Sequence, residues 1–141
     1  MFNKISLSFA FILLLLWTPF AFAEPNMQEG KWEITMKMDM QGMPMAMPPM
    51  KHTQCLTKKD MVPQKQEKNR DCKIISSKIS GDTLTWVMQC SDKNGTHESN
   101  GRITYKGNSF DGVINMTITE PKHGKSKITQ HISGKRIGDC K

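Results

Sequence analysis

Residues 96–120 read THESNGRITYKGNSFDGVINMTITE, and the fold class follows from them. Phe110, Gly112, Ile114, Met116 and Ile118 alternate with Asp111, Asn115, Thr117 and Thr119, the period of two expected of a strand with one covered face. Gly107-Asn108 reads as a hairpin turn. Across it Tyr105 faces Phe110 and Ile103 faces Gly112, so both arms put their apolar groups on one side. Two neighbouring strands that agree on a core face predict an antiparallel sheet.

The same alternation runs outward from this hairpin. It predicts strands over 31–40, 43–48, 51–56, 72–79, 84–91, 96–106, 109–120 and 125–133, separated by Gly81-Asp82, Asn94-Gly95, Gly107-Asn108 and the Pro121–Gly124 turn. Consecutive strands with short turns make an all-β antiparallel meander, either a strongly curved sheet or a small up-and-down barrel. Residues 57–71 break the pattern with mixed lysines and acids and read as a solvated loop. Within it, Thr57 and Asp60 can cap one helical turn that Pro63 ends.

The chain has 141 residues, and its start is of a different kind. Lys4, the apolar run from Ile5 to Trp17, Pro19 and the small-residue site Ala21-Phe22-Ala23 have the form of a cleaved secretory signal over 1–23, leaving 24–141 as a single β domain. Export to the periplasm follows, and no later segment is apolar for long enough to anchor the protein in a bilayer. The formal charge is +7. Outside the cytoplasm it does not point to nucleic acid, and scattered lysines serve solubility.

Four cysteines in an oxidising compartment favour two disulfides, which stapling of a small domain also favours. They allow three pairings. A three-residue Ser80-Gly81-Asp82 loop sets Cys72 opposite Cys90 and leaves Cys55 for Cys140. A two-residue Gly81-Asp82 turn instead aligns Ile75 with Met88 and Ile79 with Leu84 and puts Cys72 and Cys90 on opposite faces, unless a bulge reconciles the two.

Enzymatic signatures are missing. Gly124-Lys125-Ser126 has Thr119 where a phosphate loop needs its first glycine. No G-x-S-x-G or C-x-x-C occurs, and His52, His97, His123 and His131 show no metal-ligand spacing. The chain reads as a non-enzyme without a cofactor.

The stretch with most chemical character is the methionine-rich one. Trp32, Ile34, Met36, Met38 and Met40 share a strand face. A Gln41-Gly42 hairpin then sets Met43, Met45 and Met47 opposite Met40, Met38 and Met36, with a short edge strand ending near Pro48. Such a face, with Trp32 buried at its root, can wall a site for an apolar small molecule or an envelope lipid chain. The alternative is a soft-metal site, since thioethers suit Cu(I) and Ag(I), with ligands among Met36, Met38, Met40, Met43, Met45 and Met47.

Gly30-x-Trp32-Glu33, the Met- and Pro-rich stretch, Thr53-Gln54-Cys55-Leu56-Thr57, Cys72, Trp86-x-Met88-x-Cys90 and the Ser133–Cys140 ending together resemble the exported bacterial family known as domain of unknown function 3617. That resemblance implies a small periplasmic β domain and brings no activity or ligand with it. A weaker likeness is to lipocalins, in Gly30-x-Trp32 and an arginine, Arg136, placed to cover the tryptophan; it implies a shallow apolar pocket.

Overall fold

The computed structural model describes residues 24–42, 47–61 and 71–141. Its strands are β1 (Gly30–Met40), β2 (Met50–Leu56), β3 (Asp71–Ser80), β4 (Thr83–Asp92), β5 (Gly95–Tyr105), β6 (Ser109–Glu120) and β7 (Gly124–Gly138). They form one seven-stranded sheet in the order β2-β1-β7-β6-β5-β4-β3, every pairing antiparallel. The chain meanders from β3 to β7, and β1 then lies against β7 with β2 outside it. Strands β2 and β3 are both edges, so the sheet is open and curled. Residues 1–23, Pro63 and the methionines at 43 and 45 lie outside the described residues.

Curling is required by burial. Trp32 on β1 and Leu84 on β4 are both fully buried and belong to one cluster with Ile34, Trp86, Ile103, Tyr105 and Phe110. In a flat sheet β1 and β4 would stand about 19 Å apart. Glycines let the sheet bend. The ring of Trp86 lies where a Cβ on Gly101 would stand, and that of Phe110 does the same at Gly134. Each aromatic thus covers a bare stretch of the neighbouring strand.

The segment before β1 closes the aromatic end of the cluster. Met27 is buried and bridges to Gly107. Gln28 N donates to Gly107 O at 3.1 Å, Gly107 N to Asn26 O at 2.7 Å, and Asn26 N to Asp82 Oδ1 at 2.9 Å. The segment is thereby tied to two hairpin turns. A 3-10 turn (Lys58–Asp60) docks on it through Lys58 N, which donates to Glu29 Oε1 at 2.9 Å. Asp60 caps that turn by accepting from the Thr57 N–H and hydroxyl, the single turn expected there.

Strands β3 and β4 resolve the conflict between the two possible turns. The turn is Gly81-Asp82, with Ser80 opposite Thr83 and Ile79 opposite Leu84. A bulge between Ile74 and Ser76 absorbs Ile75, so Ile74, not Ile75, faces Met88, and Cys72 returns opposite Cys90. The extra residue restores the phase that a two-residue turn costs. Both disulfides form as Cys72–Cys90 and Cys55–Cys140. The second ties edge strand β2, across β1, to the chain beyond β7.

The β1–β2 connection differs from expectation. Met36 lies opposite Met50, not Met47, and 47–49 are outside any strand. Pro48 and Pro49 have no N–H to give to a ladder, so pairing starts after them. The pairing of Met36 with Met47 expected there is therefore replaced by one with Met50, and residues 43–46 lie outside the described residues.

Candidate functional site

The registers define cross-sheet rows on the core face. One runs Met36–Ile132–Gly112–Ile103–Leu84–Ile79, the next Met38–Gln130–Ile114–Gly101–Trp86–Ser77, and the third Met40–Ile128–Met116–Ser99–Met88–Ile74. A last row holds Ser126, Ile118, His97 and the Cys72–Cys90 disulfide. Burial is uneven along this series, with Trp86, Ser99 and Cys90 buried in the later rows. Ile103 and Leu84 are buried, whereas Met38, Met40, Met88, Met116, Ile114, Ile118 and Ile128 are half-buried. Beyond the closed aromatic end, the inner face of the curled sheet, here termed the trough, carries half-buried Met38, Met40, Met88 and Met116.

Of the residues expected to form the site, Met36, Met38 and Met40 come together here. Trp32 does not line the trough: it is fully buried, with its ring 5.4 Å from that of Phe110 and its Nε1 donating to Gln28 O at 3.1 Å. Arg136 lies beside it in register, but its Nε donates to Glu29 O at 2.9 Å and its other arm reaches Asp139. Met47 is 41% exposed and outside the strands. Met88 and Met116 join instead. Their alternation placed them on the core face, but no local signal set them in the row of Met40.

The trough also holds polar groups. Gln130 Nε2 donates to Met36 Sδ at 2.9 Å. Ser99 is only 9% exposed, and its Oγ has no hydrogen-bond partner. His97 Nε2 stands 3.3 Å from Asp92 Oδ2, within reach of a hydrogen bond to the carboxylate. The Asp92 carboxylate accepts from Asn94 N at 2.7 Å and Gly95 N at 3.1 Å. The Asn94 N–H, before any other cause, holds its carboxyl below the usual aspartate value, with His97 and Gly95 adding to the effect.

A separate hollow of about 500 Å³ lies on the opposite face, lined by Lys37, Pro49, Arg102, Asp111, Val113 and His131 among others. Asp111 is paired with Lys106 at 2.7 Å, and His131 stands 3.4 Å from Asp39. No group of three or more His, Cys, Asp or Glu side chains able to hold a metal occurs among the described residues.

Residues 27–140 match the family model described as "Protein of unknown function (DUF3617)". The chain belongs to this family. The DUF3617 match begins at Met27, which plugs the aromatic end of the core, and ends at Cys140, which closes the second disulfide. All seven strands therefore fall within the DUF3617 unit. No curated protein and no solved structure matches the chain. Two disulfides fit an oxidising, exported setting, and among the described residues no helix is long and apolar enough to cross a membrane.

Proposed function

We propose that the chain is a non-enzymatic binding module of the periplasm, delivered there by a cleaved signal over 1–23, and that its trough takes an apolar small molecule or a lipid chain. The supporting observation is the continuity of the core face: the rows of Met38 and Met40 extend the apolar surface beyond the buried cluster while staying half open to solvent. Methionine suits such a wall because its unbranched thioether adapts to irregular ligands. Displacement of a fluorescent apolar dye tests this. Met38→Asp with Met40→Asp is expected to abolish dye binding, while Met38→Leu, Met40→Leu and Met116→Leu together retain it, since such swaps conserve apolar volume. Dye binding unaffected by the aspartates would reject the reading.

A second reading is a Cu(I) or Ag(I) site, favoured by Met36 facing Met50 across strands with Met38 and Met40 following on the same face. It ranks lower because Gln130 already engages the Met36 sulfur. A tight stoichiometric Cu(I) complex of the oxidised protein, lost in the leucine variant, would put it first.

A further inference from the structure

On the outward face of β6 the alternation gives Asp111, Val113, Asn115, Thr117 and Thr119, and Val113 is the exception in being apolar. It lines the hollow of about 500 Å³ on that face, a size suited to a small molecule. The registers run Lys37–His131–Val113–Arg102 across β1, β7, β6 and β5. Half-buried Val113 thus has a cation on either side, and Pro49, next to the Met50 that faces Met36, adds a second apolar surface near Lys37. The Cα atoms of Lys37 and Arg102 are three strand spacings apart, at most about 14 Å, and both side chains border the same concavity.

Pairing sets these two cations apart from the charges around them. Lys106 and Asp111 are joined at 2.7 Å, and His131 faces Asp39 at 3.4 Å. Among the described residues, Lys37 and Arg102 have no ion-pair partner and no side-chain hydrogen bond. Two unpaired cations at the border of one concavity hold a positive potential over its apolar surface, because low-dielectric walls focus the field.

We propose that this hollow is a second binding site, for a small organic anion: a carboxylate or phosphate ester whose acid group is held between Arg102 and Lys37 and whose apolar body rests on Val113 and Pro49. It lies on the face opposite the trough and does not depend on that reading. Arg102 offers a planar fork that meets either acid through two parallel N–H groups, and Lys37 offers a point charge. A cationic ligand would meet only carboxylates that Lys106 and His131 already engage. A neutral apolar one would cover both cations without pairing them, which costs their hydration.

NMR titration of the mature, oxidised protein with 2-naphthoate, 2-naphthyl phosphate and the uncharged 2-naphthamide tests the assignment. Both anions are expected to bind more tightly than the amide. Arg102→Gln and Lys37→Gln, at exposed positions, should each weaken the anions by up to about fivefold, the worth of an exposed ion pair, and leave the amide unchanged. Val113→Ser should weaken both anions through the loss of apolar contact. Lys122→Gln removes the same charge at the exposed turn between β6 and β7 and is expected to change nothing. Anions no tighter than the amide, or weakened as much by Lys122→Gln as by Arg102→Gln, would overturn the site. Sedimentation with phosphatidylglycerol vesicles that requires Arg102 and Lys37, while neither naphthyl anion binds, would also overturn it, since the anionic group would then be a lipid headgroup.

Discussion

Trp32 and Tyr105 show how much depends on single side chains at the closed end. Trp32 is fully buried, packs against Phe110 and satisfies its indole N–H on Gln28. Trp32→Ala is expected to cost about 3 to 5 kcal/mol in equilibrium denaturation, a large part of the stability of so small a domain; a loss below about 1 kcal/mol would remove it from the core. Tyr105, the chain's one tyrosine, is buried against Phe110 with ring centroids 5.7 Å apart. Burial pushes its phenol up to about 12. The folded state therefore keeps its proton where the unfolded chain has released it. This contribution to stability is complete below the ordinary phenol value of 10.0 and is lost as the pH rises towards about 12. Phenolate absorbance should accordingly appear near 12 in the folded protein and near 10 in denaturant.

Among the elements, β3 carries the clearest device. Ile75 is 60% exposed and pairs with nothing across the ladder, yet it sets the phase of the strand beyond it. Removing the extra residue of a bulge leaves the pairings on either side of it unchanged. Deletion of Ile75 is expected to make β3 regular, with Ile79 still opposite Leu84 and Cys72 still opposite Cys90. Thiol titration of the refolded variant should then find no free thiols, whereas two free thiols would show that the bulge does more than restore the phase. The glycines of β5 and β7 act at the same scale, since the rings over Gly101 and Gly134 need bare backbone beneath them. A Cβ at Gly101 would stand 2.1 Å from the Trp86 ring.

For the whole molecule, the two disulfides constrain different amounts of chain. Cys55–Cys140 spans a sequence separation of 85 and Cys72–Cys90 one of 18. In the chain-entropy account, closure of the longer loop is worth about 4.6 kcal/mol and of the shorter about 3.2 kcal/mol. Replacing Cys55 and Cys140 by alanine should therefore lower the denaturation midpoint more than replacing Cys72 and Cys90. The reverse order would mean that the cross-strand bond holds edge strand β3 in place beyond its effect on the unfolded chain. The long bond has a further role, because β2 pairs only with β1, and Cys140 gives it a second attachment.

Alternation and turn residues by themselves determined the strands from β3 to β7 and the residues on the core face, since each is set by a period of two and by neighbours close in sequence, whereas the choice among the three cysteine pairings waited on the bulge in β3. The same local reading placed Met36, Met38 and Met40 on one face. Only the tertiary structure decided that the sheet stays open, that Met27 plugs its aromatic end, that Met50 rather than Met47 meets Met36, and that Met88, Met116, His97 and Ser99 border the same trough. That Met38 and Met40 continue the rows of Met88 and Met116 depends on β1 lying against β7, a pairing between opposite ends of the domain. Periodicity tells which way a side chain points, but the neighbours it meets across the sheet depend on the register of strands distant in sequence.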